Sequence, residues 1–389
     1  MQIENKHNCT GCGACYNICP MGAIKMRGDK YGFYKPVIDK EKCICCGLCD
    51  RTCPIDNYHS NNFSEPEAFA FMNSDEIRFL SSSGGAFSAF ADHILQCNGV
   101  VYGVVWNDKT NAVHSRAVNK DDIAKMRGSK YVQSDTQYSY KQIKKDLDNG
   151  EKVLFSGTPC QIAGLKSYLK KDYTNLLTVD IICHGVQSPL FLEKYKKNFL
   201  KYKKNEKILN ISFRSKISPW IKGCYSTTIE TNKRVYNKKA DNYTSFMDLS
   251  LNNCCLSCQF TGIPRIADIT IGDFWGIDEY DSSLNDKKGT SIIIINSKKG
   301  CSFFENIKKH YRVYKVPLNI VTKNNPNIIK PTTEVSRRRD FLEKLKNPKI
   351  TYSQLTSTPL HIQLYKFLPQ NIKDLIKYKI LKREKCLKK

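Results

Sequence analysis

Two short stretches decide the N-terminal fold: CTGCGACYNICP at residues 9–20 and CICCGLCDRTCP at residues 43–54. Both have the spacing Cys-x2-Cys-x2-Cys-x3-Cys-Pro, and the second copy follows the first by 34 residues at every shared position. A repeat this regular indicates two copies of one structural unit. Three thiolates on one tight loop can bind three irons of a cubane, and the fourth thiolate, which precedes proline, reaches the other cubane.

This spacing predicts two [4Fe–4S] clusters that exchange one ligand each. The first cysteine set would be Cys9, Cys12, Cys15 and Cys53, and the second set would be Cys43, Cys46, Cys49 and Cys19. Zinc and disulfides are the alternatives, but zinc favours two separated cysteine pairs over four cysteines in one run. Cys45 departs from the repeat because it stands where the first copy has Gly11. We expect it to be a spare thiol, although it could replace a neighbouring ligand.

The composition excludes several classes of protein. The 389 residues carry a net charge of +25, and 41% of them are hydrophobic, as in folded domains. The 18 cysteines are too sparse for a disulfide scaffold, and nine of them lie before residue 54. There is no apolar signal segment, and the longest aliphatic run, residues 292–295, is far too short to span a bilayer. We therefore expect a cytoplasmic protein with reduced thiols.

Beyond a polar linker at residues 57–67, strand and helix patterns alternate. Strands are predicted at residues 100–106, 153–156, 176–183, 208–214, 266–271 and 291–295, and helices at 85–96, 138–147, 161–169, 190–202 and 302–310. We predict an α+β or α/β fold in which a small dicluster ferredoxin-like domain precedes a larger mixed α/β domain. The boundaries are residues 1–60 for the first domain, 65–150 and 151–335 for the two parts of the second, and 336–389 for a basic helical tail.

One strand–helix–strand segment places cysteines at the edge of the predicted sheet. Cys160 opens the helix after the strand at 153–156, and the next strand ends at Cys183. Such a segment favours a right-handed crossover between parallel strands, whose carboxyl ends bind ligands in open α/β sheets. With Cys255 and Cys258 these residues predict a third set of four thiolates, in which Cys254 could replace Cys255. Zinc at this site and four separate buried thiols remain the alternatives.

Five further motifs occur in order: SSGGA at 82–86, GSKYVQSD at 128–135, GTPCQIAGL at 157–165, DIICHGV at 180–186 and DITIGDFWG at 268–276. On these residues the sequence resembles the coenzyme F420 hydrogenase/dehydrogenase beta-subunit family from about residue 65 to 335. A dicluster ferredoxin module is fused in front of that region. The resemblance implies an iron–sulfur flavoprotein in which FAD lies beside a third [4Fe–4S] cluster.

The resemblance also implies which residues would bind FAD: Ser83, Gly84, Gly85, Lys130, Thr158 and Asp273. The serine–glycine run precedes an apolar helix, where free N–H groups suit phosphate, although plain N-capping by serine explains it equally well. Lys130 and His184 are the candidate catalytic residues. Lys130 would stabilise the reduced flavin anion, unless it is a solvated surface lysine. His184 could donate to cluster sulfur or relay a proton, or make an ordinary polar contact.

A flavin converts between a two-electron substrate and one-electron clusters. We therefore predict an oxidoreductase that passes electrons between its [4Fe–4S] clusters, FAD and a small organic substrate or deazaflavin-type cofactor. Some members of the family lie beside polysaccharide-biosynthesis functions, which gives one context for the substrate. The alternatives are a non-catalytic electron carrier or adaptor subunit of a larger redox complex, and a zinc-stabilised structural domain.

The basic charge indicates which partners to expect. It would attract an acidic redox protein such as ferredoxin or flavodoxin, or another subunit of a complex. Nucleic acid is not expected, because no reader motif is present. Residues 360–389 carry nine Lys or Arg against two acids with interleaved apolar residues. That pattern suits an interfacial helix at a membrane, although a solvated basic helix is favoured, and self-association of the chain stays open.

Overall fold

The structure is a computed structural model that describes residues 3–57, 60–223, 225–239 and 241–357. Most of the predicted basic tail, from residue 358 onward, lies outside these residues. The strands of the described part are β1 Ile24–Gly28, β2 Tyr34–Ile38, β3 Glu67–Met72, β4 Val100–Trp106, β5 Ala112–Ala117, β6 Val153–Gly157, β7 Leu176–Ile181, β8 Ile208–Ser215, β9 Ser226–Thr231, β10 Val235–Lys238, β11 Ile269–Asp273, β12 Ser291–Ile295 and β13 Arg312–Val316.

The helices of the same residues alternate with these strands. They are α1 Ala14–Ile18, α2 Leu48–Arg51, α3 Pro54–Asn57, α4 Asp75–Phe79, α5 Ala86–Gln96, α6 Lys120–Met126, α7 Ser139–Asp148, α8 Pro159–Leu169, α9 Pro189–Leu200, α10 Met247–Ser250, α11 Ile277–Asp281, α12 Lys298–Lys308, α13 Leu318–Asn324, α14 Arg338–Leu345 and α15 Tyr352–Thr356. Among them, none is long and apolar enough to cross a lipid bilayer.

The N-terminal unit is built around one hairpin. Strands β1 and β2 pair antiparallel, with Ile24 opposite Ile38. The two cysteine-rich loops each turn into a short helix, α1 or α2, through a glycine with positive φ: Gly13 at 81° and Gly47 at 70°. This left-handed conformation is readily accessible only to glycine, which explains why the repeat keeps glycine at both positions.

The larger domain is organised around an eight-stranded sheet with the order β13-β3-β12-β11-β7-β6-β4-β5. The four strands β11, β7, β6 and β4 run parallel to one another, and antiparallel strands flank them on both sides. The predicted parallel pairing of β6 with β7 is therefore observed. Because strands on both sides of residue 150 enter this sheet, residues 65–150 and 151–335 share one core.

Several element boundaries differ from the predicted ones for local reasons. Strand β7 ends at Ile181, so Cys183 lies in the loop after it, and β11 begins at Ile269 instead of residue 266. Helix α12 begins four residues earlier than predicted, at Lys298, because the Ser297 hydroxyl accepts from the N–H of Gly300 and caps the helix.

A small antiparallel sheet, β10-β9-β8, stands beside the large one. Its buried face packs against α9 and against the helices after residue 337, where Phe341, Leu342 and Leu345 are buried. Helix α14 is thus part of the folded domain, although the sequence assigned it to the basic tail. These three apolar side chains lie on one face of α14, and that face is buried against α9 and β8.

Candidate cofactor sites

The first cysteine set lines one small pocket in the N-terminal unit. Cys9, Cys12 and Cys15 come from the first loop, and Cys53 comes from the second copy of the repeat. Burial, together with smaller contributions from the nearby Cys9 and Cys53, raises the pKa of Cys12 to about 12. Four crowded, buried sulfurs cannot all ionise unless a multivalent metal group compensates their charge.

The second cysteine set lines another small cavity and consists of Cys19, Cys43, Cys46 and Cys49. The backbone N–H of Ala23 lies 3.3 Å from the Cys19 Sγ, a contact typical of cysteines that bind clusters. Cys45 is exposed and is not among the residues that line this cavity. Its φ of 53° repeats the positive φ of Gly11 at the equivalent position of the first loop.

The cysteine sets do not form a single-ion site in the described part of the chain. There, no three His, Cys, Asp or Glu side chains meet closely enough to hold one metal ion, whereas zinc would require sulfurs about 2.3 Å from one centre. The four thiols that line each pocket of the N-terminal unit suit the four irons of one [4Fe–4S] cluster.

The third cysteine set comes from three separate places in the fold. Cys160 lies in the first turn of α8, Cys183 follows β7, and Cys255 and Cys258 lie in the loop before β11. Burial raises the pKa of Cys160, and the charges of Cys258, Cys183 and Cys255 raise it further, so the structure brings the four thiols together. Cys254 is buried and its thiol makes a hydrogen bond with Cys255.

Arg265 supplies a buried positive charge next to this third set. Its Nη2 lies 2.8 Å from Asp180 Oδ2, and the side chains of both residues are 0% exposed. Burial raises the pKa of Cys183 and of Cys258, and the positive charge of Arg265 partly offsets that rise. The Nη1 atom of Arg265 has no hydrogen-bond partner. A buried guanidinium with a free N–H suits an anionic cluster whose sulfurs accept hydrogen bonds. The residues present thus fit a [4Fe–4S] cluster at the third set.

An open cleft of about 600 Å³ lies at the carboxyl ends of the parallel strands. Five of the six residues that the family resemblance assigns to FAD line it: Ser83, Gly85, Lys130, Thr158 and Asp273. Gly84 is not among its lining residues. A Cβ at Gly84 would lie 2.3 Å from the carbonyl oxygen of Phe71, and its N–H donates to Ser291 Oγ at 2.9 Å. Gly84 therefore serves the packing of its loop against β3 and β12.

Helix capping explains how two of these residues are positioned. Thr158 is the N-cap of α8 in a capping box with Gln161, and proline occupies the first helical turn. Gly85, with a φ of 84°, is the N-cap of α5 and provides no side-chain acceptor, so the first N–H groups of α5 stay available to a ligand. Both helices thus begin at the wall of the cleft.

Lys130 is a partly buried lysine at the end of a helix. Its Nζ donates to the carbonyl oxygens of Lys125, Met126 and Arg127, at 3.0, 3.0 and 2.8 Å, which caps α6. Burial lowers the pKa of Lys130 to about 7. Lys130 is therefore anchored at the cleft and is not a solvated surface lysine.

His184 lines the cleft within a chain of polar side chains. Its Nε2 lies 2.5 Å from Asp248 Oδ1, and its Nδ1 lies 2.9 Å from Asn327 Oδ1. Although burial opposes it, the hydrogen bonds with Asp248 and Asn327 raise the pKa of His184. Both ring nitrogens of His184 therefore have hydrogen-bond partners in these two residues. This arrangement favours polar contacts at the cleft wall over a hydrogen bond from His184 to Cys183.

Arg214 is a cleft residue that the sequence reasoning missed. It is largely buried, its Nη1 lies 2.8 Å from Asp273 Oδ2, and its guanidinium stacks on Tyr225 and Trp275 at 4.7 and 5.3 Å. Trp275 in turn stacks on Trp220, with 4.4 Å between ring centroids. Asp273 and Trp275 belong to the same sequence motif at 268–276, so that motif could have indicated an aromatic side chain at the cleft wall. No local sequence pattern indicates Arg214.

The fold and the cysteine sets define an iron–sulfur oxidoreductase. Residues 8–57 match the family described as 4Fe-4S dicluster domain. Residues 68–139 and 150–319 match the N-term and the C terminus of the family described as Coenzyme F420 hydrogenase/dehydrogenase, beta subunit. The chain belongs to that beta-subunit family and carries an N-terminal dicluster domain, which confirms the resemblance and the oxidoreductase class predicted from the motifs.

No curated protein matches the chain. Among solved structures, the chain is similar to one from the F420-reducing [NiFe] hydrogenase complex of Methanosarcina barkeri, at 17% sequence identity and a TM-score of 0.46. That match covers 72% of this chain and 92% of the other.

Proposed function

We propose that this protein is an iron–sulfur flavoprotein that transfers electrons between [4Fe–4S] clusters and FAD, to reduce or oxidise a small organic substrate or a deazaflavin-type cofactor. The observation that carries the proposal is a shared wall between the third cysteine set and the cleft. Thr158 and Cys183 line the cleft, and the Thr158 Oγ1 lies 3.1 Å from the Cys160 Sγ. A flavin bound in the cleft would meet the residues that hold the third cluster.

The charge of the cleft supports an anionic cofactor. Its lining includes four cations, Arg127, Lys130, Arg214 and Lys222, against the two carboxylates Asp248 and Asp273. The uncapped start of α5 adds backbone N–H donors at the Ser81–Gly85 loop. Cations and helix N-termini of this kind bind phosphate groups, so the diphosphate of FAD would bind at this loop.

The size of the cleft suits one cofactor-sized ligand. Ligand pockets usually enclose about 300–1,000 Å³, and this cleft encloses about 600 Å³. FAD in the cleft would supply the exchange of two electrons with a substrate and of single electrons with clusters. In that reaction we assign His184, held by Asp248, to keep a proton at the cleft wall, and Lys130 to place a positive charge there.

A redox partner protein would reach the second cysteine set more readily than the first. Cys46 is exposed, and the neighbouring Ile44 and Met21 are 60% and 49% exposed. By contrast, Cys12 and Cys15 of the first set are buried. We therefore assign exchange with a ferredoxin-like or flavodoxin-like protein, or with a further subunit, to the side of the second set.

Metal and flavin analysis of anaerobically prepared protein tests this function. We expect about twelve irons per chain, equal acid-labile sulfide, no stoichiometric zinc and one FAD released on denaturation. The Cys160→Ser variant should retain about eight irons, because only the third cluster loses a ligand. Cys97→Ser, which changes a partly buried cysteine outside all three sets, is the matched control and should retain about twelve.

Each of the other possible outcomes of this experiment would contradict a different part of the proposal. Full iron content in Cys160→Ser would overturn the third ligand set. Stoichiometric zinc in place of four irons would assign that set to a structural metal. A full iron content without any flavin would make the chain an electron-carrier subunit and contradict the assignment of the cleft to FAD.

A further inference from the structure

Gly164 is one point at which the N-terminal unit touches helix α8. A Cβ at this position would lie 2.9 Å from the Cys12 Sγ, 3.0 Å from the Cys12 Cβ and 3.0 Å from the Tyr140 hydroxyl. The missing side chain therefore lets a ligand of the first cysteine set pack directly on the helix. Cys160 lies four residues earlier, and residues with this spacing are neighbours about 5–6 Å apart on one helix face. One helical turn thus separates the contact with Cys12 from Cys160.

Tyr140 fixes this contact from the side. It is fully buried, and its hydroxyl lies 2.8 Å from the carbonyl oxygen of Cys12 and 2.8 Å from that of Gln161 in α8. One tyrosine thus bridges the loop of the first set and the helix of the third set.

The same loop is anchored at two further points. The Thr136 hydroxyl donates to the Cys12 carbonyl at 3.2 Å, and the Gln133 side-chain amide donates to the Thr10 carbonyl at 2.9 Å. Hydrogen bonds that are buried and shared by two elements hold their relative position more firmly than apolar contact alone.

We propose that Gly164 and Tyr140 are positioning residues that hold the cluster of the first set next to the cluster of the third set, which makes this pair the junction between the dicluster domain and the flavin domain. The proposal rests on the proposed function, because it requires a cluster at the third set. The exchange at the junction moves one electron: one reduced cluster is oxidised, the other is reduced, and no bond or proton changes place. Its rate depends steeply on the separation that these two residues set.

Electron paramagnetic resonance of the reduced protein tests the junction without measuring turnover. Two reduced clusters close together broaden or split each other's signals, and the interaction weakens steeply with distance. Cys160→Ser provides the spectrum of the N-terminal pair alone. We expect the wild-type protein to show an additional interaction, and Gly164→Val to lose most of it while retaining about twelve irons. Ser167→Val, a partly exposed position on the same helix, should match the wild type.

A second variant keeps the test decisive if Gly164→Val loses iron. Tyr140→Phe keeps the buried ring and removes only the hydroxyl that bridges Cys12 and Gln161, so it should weaken the interaction with full iron content. Undiminished interaction in both variants with full iron would overturn the proposal. A wild-type protein with only eight irons would instead overturn the third cluster, and with it the proposed function.

Discussion

Arg265 and Asp180 form an ion pair of 2.8 Å, and solvent reaches neither side chain. Replacing Arg265 by glutamine would leave a buried carboxylate without its cation, which costs about 3–5 kcal/mol. The double variant Asp180→Asn/Arg265→Gln removes both charges and should recover most of that loss. Thermal or urea unfolding under argon, followed by circular dichroism, measures the difference. Equal destabilisation of the single and double variants would contradict this prediction.

Cys45 should be dispensable for iron binding. Its φ of 53° is unfavourable for any residue with a side chain, by about 1–2 kcal/mol. We expect Cys45→Gly to keep the full iron content and to unfold at a slightly higher temperature than the wild type. Cys46→Ser is the control, because Cys46 lines the cavity of the second set, and it should lose about four irons. Iron loss from Cys45→Gly would show that Cys45 is a ligand.

A substitution at Gly84 should lower the stability of the fold, and any effect on cofactor binding should be secondary to that. A Cβ there would lie 2.3 Å from the Phe71 oxygen and 2.3 Å from the Ser291 nitrogen, which are both backbone atoms. We expect Gly84→Ala to lower the free energy of unfolding by about 3 kcal/mol or more. Gly150→Ala is the control: its surroundings are open, so only its positive φ of 85° should count against a Cβ, at a cost of about 1 kcal/mol. A Gly84→Ala protein of wild-type stability that loses only FAD would reverse this assignment.

Lys130 should make cofactor binding depend on pH. Burial lowers the pKa of Lys130 to about 7, so the ammonium predominates below pH 7 and the neutral amine above it. An anion in the cleft favours the ammonium, and binding above pH 7 must then take up a proton. The affinity of flavin-free protein for FAD should therefore fall between pH 7 and 9, by up to about tenfold per unit of pH.

Fluorescence titration of flavin-free protein with FAD at pH 6, 7, 8 and 9 measures this dependence. Lys130→Met is the control, since it lacks the titrating group. We expect it to bind more weakly at pH 6 and to show little change up to pH 9. A variant that keeps the wild-type pH profile would mean that Lys130 does not carry the charge.

The local sequence was sufficient to predict a strand or helix wherever one short segment determines that element. Strands β4 and β12 have the predicted bounds because continuous apolar runs suit strands buried on both faces. Strand β9 was missed, since its sequence STTIET has only one large apolar residue and pairs within a small sheet. Strand β3 was missed because it starts at Glu67, where the polar linker had been taken to end.

The same distinction applies to the candidate sites: some follow from one short segment, and others depend on contacts between distant segments. The cysteine repeat could be read from spacing alone, because each loop contributes three of the four thiols. Arg214 meets Asp273 across 59 residues, and His184 meets Asp248 across 64. Those contacts depend on how the small sheet and the helices after it pack on the large sheet, which no local pattern contains. Only the family motif indicated Asp273, and nothing in the sequence indicated its partner.

The stacked rings of Trp220 and Trp275 give the protein an optical property of its own. The chain has three tryptophans, and two of them form this pair, one of which faces the cleft. Indole emission overlaps the near-ultraviolet absorption of an oxidised isoalloxazine, so a flavin that enters beside Trp275 will quench it by energy transfer. Intrinsic fluorescence can thus follow the loading of the cleft in real time, in a protein that needs no added dye.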